Sequence, residues 1–215
     1  MIRVKICGIM NLEDALVAVE LGADAIGFIF AESPRQITPT KAKSIIHTLP
    51  PLVKTVGVFV NEESERIKEI KSFCGLDLIQ LHGEESPELC QDLMPHSVKA
   101  FRIQNERAIE NIKRYQGTVR AILLDTYQKG KTGGTGKIFD WSLAVKSKEA
   151  GLPIILAGGL GPANIQEAIT TVKPYAVDVN SGIEEEPGKK DPVLMRQLME
   201  KIKEYRIQES EVRIK

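Results

Sequence analysis

The 215-residue sequence contains no run of about 20 apolar residues, the length a helix needs to cross a bilayer. It has no surplus of either charge: Lys+Arg and Asp+Glu both number 29, for a formal net charge of zero. Without a global basic field, a long basic run or a cluster of interleaved aromatics, nucleic acid is not an expected partner. Cysteine is scarce and unpaired in pattern. Cys7, Cys74 and Cys90 are an odd set with no CxxC spacing, which argues against both a disulfide framework and a zinc site. The three histidines, His47, His82 and His96, are scattered, so no metal is expected. The opening "MIRVKICGIMNLEDAL" places charges where a signal peptide needs a long apolar stretch, and the chain is expected to be cytoplasmic. Two glycine motifs are also missing. "CGIMNLED" is not the dinucleotide fingerprint GxGxxG, and a phosphate loop ending at Lys131-Thr132 would need Gly at 125, which is Asp.

What is present alternates. Short apolar runs read as buried strands: Val4–Cys7, Ala25–Phe30, Thr55–Phe59, Leu78–Leu81, Val98–Phe101, Ala121–Asp125, Ile154–Ala157 and Ala176–Val179. Helix-length segments lie between them. In "NLEDALVAVELG", Leu12, Leu16 and Val19 fall on one face, with Asn11 as N-cap and Gly22 as stop. "NEESERIKEIKSFCG" turns Ile67 and Ile70 inward behind an acidic first turn. A last helix from about Asp191 carries Leu194, Leu198 and Ile202 inward and is expected to fray into "QESEVRIK". Strands apolar throughout suit a parallel sheet buried on both faces. Eight such units predict one α/β domain over residues 1–215, an eight-stranded parallel (β/α)8 TIM barrel with a polar C-terminal tail from about 207. An open doubly wound sheet is the alternative, and the missing fingerprint counts against it.

In a barrel, function collects at the C-terminal strand ends. "AGGL" (Ala157–Leu160) and "NSG" (Asn180–Gly182) offer glycine backbone that an anion can approach closely, a phosphate site at Gly158, Gly159, Asn180, Ser181 and Gly182 or else plain turns. On the phosphate reading, Gly182→Val blocks the anion and leaves the fold intact. Asp125 ends an all-apolar run. It is either an acid whose pKa desolvation raises or a cap for the next loop. His82 ends the fourth strand as a candidate wall residue of the site. Arg35, in "SPRQ", is a bidentate clamp for a substrate carboxylate or a solvated surface arginine. The glycine- and lysine-rich stretch "TYQKGKTGGTGKIFDW" reads as a mobile lid.

Strand side chains alternate. If Cys7 faces into the barrel mouth, Lys5 faces inward one layer deeper. Strand eight neighbours strand one in a closed barrel, and Asp178 is its sole acidic residue. A Lys5–Asp178 pair inside the barrel is therefore expected, leaving positive charge beneath Cys7; a thiolate at that strand end can serve as a base if nearby positive charge lowers its pKa.

Taken in order, "KICG", "GFIF…SPR", "QLHG", "LLDT", "AGGL" and "DVNSG" followed by "PGKKD" resemble phosphoribosylanthranilate isomerase of tryptophan biosynthesis, from Val4 to about Asp191. The family more often has two serines where this chain has Asn180-Ser181. The resemblance implies an Amadori rearrangement of N-(5-phosphoribosyl)anthranilate, a small phosphosugar-anthranilate substrate, with no cofactor or metal and no nucleic-acid or membrane partner, in a monomer or homodimer. It implies Cys7 as base, Asp125 as acid and Arg35 as holder of the anthranilate carboxylate. The isomerase of histidine biosynthesis performs the same rearrangement with a pair of aspartates, and Cys7 argues against it. A non-catalytic phosphate binder on the same fold would not need Cys7, Asp125 and Arg35 together.

Overall fold

The computed structural model describes residues 1–103, 105–125 and 141–214, with side chains up to residue 209. Eight parallel strands close on themselves in chain order: β1 (Arg3–Ile6), β2 (Ala25–Ile29), β3 (Lys54–Phe59), β4 (Leu78–Leu81), β5 (Ser97–Arg102), β6 (Ala121–Asp125), β7 (Ile154–Ala157) and β8 (Ala176–Val179). Each is followed by a helix: α1 (Leu12–Glu20), α2 (Pro39–Ile46), α3 (Ser64–Cys74), α4 (Pro87–Asp92), α5 (Arg107–Lys113), α6 (Ser142–Lys146), α7 (Ile165–Val172) and α8 (Pro192–Ile214). A short antiparallel pair, β9 (Glu184–Glu186) and β10 (Lys189–Lys190), is inserted between β8 and α8. The TIM-barrel expectation holds, and every predicted strand lies within one residue of an observed one at each end. Of the stretch 126–141, read from sequence as a lid, residues 126–140 lie outside the described residues, and Trp141 is buried just before α6.

Alternation sorts the strand residues into two layers. Outward side chains such as Ile6, Ile26, Ile79, Ile122, Leu124, Leu156 and Val177 are buried under the helices in the main apolar core. Inward ones form a smaller cluster of Val98, Ala100, Ala121, Leu123 and Ala157. The register pairs Lys5 with Asp178 across β1 and β8. Their side chains meet inside the barrel, with Lys5 Nζ donating to Asp178 Oδ2 at 2.7 Å and exposures of 6% and 7%. The pair expected from parity and strand adjacency is formed. Two ionised groups so far from water are tolerable only together. Gly27, inward on β2, leaves them room: a Cβ there would lie 2.7 Å from Cys7 Sγ and 2.9 Å from Lys5 Cε.

Two helix expectations need correction. Asn11 caps α1 as predicted, accepting from the Asp14 N–H, but the inward face is Asp14, Ala15 and Ala18, while Leu12 is exposed. Small side chains bring the helix close to the strands, so the larger apolar residues sit at its flanks. At the other end, α8 does not fray at 207 and continues to Ile214. Its last residues contain neither Gly nor Pro and favour the helix. Elsewhere the signals hold: Ile67 and Ile70 are buried in α3, Gly75 ends that helix at φ 76°, and Leu198 and Ile202 are buried in α8. Among the described residues, no helix is long and apolar enough to cross a membrane.

Candidate active site

The C-terminal ends of the strands surround a cleft of about 330 Å³. Residues of inward parity line it: Cys7 beyond β1, His82 beyond β4, Asp125 at the end of β6 and Asn180 beyond β8, with Gln80 and Asp178 below them. Arg35, Gly158, Gly159 and Ser181 complete the wall among the predicted residues. One segment of chain thus supplies each chemical group, and barrel closure brings them together. On one side of the ring only β7 and β8 separate the strands that carry Asp125 and Cys7.

Cys7 is 4% exposed and is fixed by its backbone N–H, which donates to Val179 O at 2.9 Å. Burial pushes its thiol above the ordinary value; the Lys5 charge below it and Lys190 pull down, and Asp178 pushes up. The condition set for a thiolate, nearby positive charge that lowers its pKa, is met by Lys5 taken alone, and the net shift is upward. Desolvation of a thiolate outweighs a cation that Asp178 already neutralises. Lys5 itself is raised: burial alone would lower its pKa, and the Asp178 contact overrules that.

Elsewhere on the cleft wall, the carboxylate of Asp125 meets the imidazole of His82, with Nε2 3.5 Å from Oδ2. Behind His82, Gln80 approaches its Nδ1 at 3.0 Å. A buried Lys99–Glu85 pair outside the barrel steadies the loop after β4. Lys99 Nζ is 3.1 Å from Glu85 and donates to Gly83 O at 2.7 Å, and Glu85 accepts from the N–H groups of Asn61 and Gly83.

The two glycine turns play unequal parts. Gly158 and Gly159 have φ of 90° and 64°, the left-handed region that side chains resist. A Cβ on Gly159 would meet nothing within 4 Å, so the backbone there borders open cleft. Gly182 does not line the cleft, and a Cβ on it would lie 2.0 Å from Leu160 O. It is glycine so that the loops after β7 and β8 can touch, and Gly182→Val would displace one of them. The expectation of an intact fold in that variant is withdrawn. Gly159→Ala is the cleaner probe. It should weaken inorganic phosphate binding about tenfold, the worth of one charge-assisted hydrogen bond, measured by titration, with a stability loss of about 1–2 kcal/mol for the left-handed alanine. Unchanged phosphate affinity would put the anion elsewhere.

Arg35 is no solvated surface residue. Its Nε lies 2.9 and 3.0 Å from the Glu184 carboxylate oxygens and its Nη2 2.6 Å from Oε2. Glu184 thus occupies the Nε–Nη2 edge of the guanidinium. The clamp expected from sequence must use the remaining Nη1–Nη2 edge, which can still grip a carboxylate with two parallel bonds. Glu184 also accepts from Lys190 Nζ at 2.8 Å, and Lys190, wholly buried, donates to Asn180 Oδ1 at 2.8 Å. Burial alone would raise the Glu184 carboxyl, but its two cations hold it below the ordinary range. Burial pushes the Lys190 ammonium down. Asn180, predicted to touch an anion, commits its side-chain oxygen to Lys190. Sequence reasoning missed Glu184 and Lys190, although "PGKKD" places a lysine one residue from a helix cap, where a solvated side chain is the ordinary expectation.

The family model described as N-(5'phosphoribosyl)anthranilate (PRA) isomerase matches residues 4–201. An N-(5'-phosphoribosyl)anthranilate isomerase of Geobacter sulfurreducens is 50% identical over 204 residues, 94% of this chain and 99% of the relative. The crystal structure of phosphoribosyl anthranilate isomerase from Thermotoga maritima superposes with a TM-score of 0.87 at 48% identity, covering 94% of this chain and 99% of that one. A crystal structure of such an isomerase in complex with reduced 1-(o-carboxyphenylamino)-1-deoxyribulose 5-phosphate gives a TM-score of 0.84 at 46% identity, with the same coverage.

Proposed function

The chain belongs to the N-(5'-phosphoribosyl)anthranilate isomerase family, and from that premise we propose how its own residues carry out the rearrangement in tryptophan biosynthesis. The substrate, N-(5-phosphoribosyl)anthranilate, is a closed ribose with an aromatic amine at C1′. Asp125 in its protonated form gives its proton to the furanose ring oxygen. The C1′–O bond breaks as the amine nitrogen's lone pair forms a C1′=N bond, leaving a cationic Schiff base. That cation acidifies the C2′ proton, and the Cys7 thiolate removes it. The freed electron pair forms C1′=C2′ and neutralises the nitrogen. The resulting enolamine becomes the ketone as C1′ gains a proton and the C2′ hydroxyl loses one. The product is 1-(2-carboxyphenylamino)-1-deoxyribulose 5-phosphate.

The observation that carries this reading is a single cleft holding Cys7 and Asp125 on different strands, with Arg35 and the Gly158–Gly159 turn along its wall. A ribose laid between the two proton-transfer groups puts its phosphate toward Gly158, Gly159 and Ser181 and its anthranilate carboxylate toward the end edge of Arg35. His82 walls the acid side. Gly182 acts indirectly, by holding the two phosphate loops together, and Asn180 through Lys190. The whole of residues 1–215 is read as one barrel domain, acting in the cytoplasm as a monomer or homodimer.

The test is the fluorescence of phosphoribosylanthranilate, followed on adding this protein in buffer treated with chelator. The expected result is rapid loss of the anthranilate signal with appearance of the ketose phosphate. A chain that binds the compound without consuming it is a phosphate-ligand binder, and the mechanism above then fails.

A further inference from the structure

Gln80 lies inward on β4, 2% exposed, two residues before His82. Its amide orientation is set from outside. Lys5 Nζ, which can only donate, lies 2.9 Å from Gln80 Oε1, so Oε1 is the acceptor and Nε2 is the end turned to His82. An amide nitrogen only donates. His82 Nδ1, 3.0 Å away, must therefore hold a lone pair, and the imidazole proton belongs on Nε2. Nε2 is the atom that faces Asp125 Oδ2 at 3.5 Å. Each member of the chain dictates the next, because reversing the amide would set an NH2 group against an ammonium. The ring nitrogen that carries the proton is fixed by the bond the other nitrogen makes.

We propose that Gln80 is a positioning residue for the rearrangement, transmitting the polarity of the buried Lys5–Asp178 pair across the barrel so that His82 is held as its Nε2–H tautomer and presents a donor to Asp125. This rests on the reading of Asp125 as the acid. As Asp125 gives up its proton, negative charge gathers on its oxygens, and a fixed N–H aimed at one of them favours that charge. With the proton on Nδ1, a lone pair would face the same oxygen and oppose the step. Four strands contribute to the line: β8 and β1 through the ion pair, β4 through Gln80 and the His82 that follows it, and β6 through Asp125. It joins the floor beneath the base to the acid without either group touching the other.

The experiment uses the full chain labelled with ¹⁵N-histidine, with the His82 signals assigned by their loss in His82→Asn. In the wild type the expected spectrum has a pyridine-like Nδ1 and a pyrrole-like Nε2. Gln80→Glu offers a carboxylate that accepts from both Lys5 and His82, so Nδ1 should take on a proton and its pyridine-like signal should disappear. Its kcat should then fall by at least about tenfold, within the range for proton-transfer groups, while KM stays within about twofold. Gln80→Met, similar in volume and without polarity, should leave both tautomers populated and give a smaller loss of kcat. A wild-type His82 protonated on Nδ1 overturns the proposal outright. So does a folded Gln80→Glu with wild-type kcat; if that variant does not fold, the wild-type spectrum and Gln80→Met decide. The spectra report the His82 proton whatever role Asp125 plays in turnover, so a failed acid assignment would appear as normal turnover in Asp125→Asn beside an Nε2–H signal.

Discussion

Cys7→Ser is expected to lower kcat by about 10²–10⁴-fold and to leave KM nearly unchanged. Serine keeps the size of the side chain and the backbone bond to Val179, but a hydroxyl is a far poorer base than a thiol at any pH the protein survives. Asp125→Asn should cost a comparable factor, because the amide fills the same space beside His82 and has no acidic proton to give. In both variants Arg35 and the glycine turn after β7 are untouched, so binding in the ground state is preserved. Steady-state kinetics on the anthranilate fluorescence measure both. A Cys7→Ser enzyme with near-normal turnover would return Cys7 to the role of a small buried apolar residue.

The second large effect is on stability. Lys5→Met leaves Asp178 charged or forced to protonate in a site where it is 7% exposed, and removes the donor that satisfies Gln80 Oε1. Breaking one side of a buried ion pair typically costs about 3–5 kcal/mol. Removing both charges together in Lys5→Met/Asp178→Leu should recover much of that loss, because the desolvation of two ions disappears with them. The urea unfolding midpoint of the three proteins tests this. A single variant within about 1 kcal/mol of wild type would mean that water reaches the pair.

The Lys5–Asp178 contact also shows what kind of fact is legible in such a chain. The strands announce themselves because a parallel barrel buries both faces of each strand, leaving short apolar runs. Once they are placed, parity sends Lys5, Cys7, Asp125 and Asp178 inward, and closure makes β8 the neighbour of β1. The strand-borne part of the cleft lining follows from those two rules. What was not legible depends on depth or on the meeting of distant loops. The direction of the Cys7 shift turned on how far burial outweighs a neighbouring cation, and no local pattern supplies that. Glu184 meets Arg35 across 149 positions, and Lys190 reaches Asn180 through a hairpin that had no strand signal. Gly182 reads as a phosphate glycine, although loop-to-loop contact also requires it, because the two kinds of glycine read alike in sequence. On α1 the helical period was right and the buried face was wrong, because alanines, carrying little hydrophobic signal, were the residues pressed against the strands.

The central claim, that the Cys7 thiolate takes the C2′ proton, is tested most directly by kcat/KM against pH in the wild type and in Cys7→Ser, since that ratio reports ionisations of the free enzyme. The base is active when deprotonated, so activity must rise with pH as the thiol ionises. Burial pushes that ionisation above the ordinary thiol value of 9.0, which places the rise on the alkaline side of neutrality. The predicted result is a rising limb there in the wild type that is absent in Cys7→Ser; the same limb at the same pH in both proteins would show that another group removes the proton.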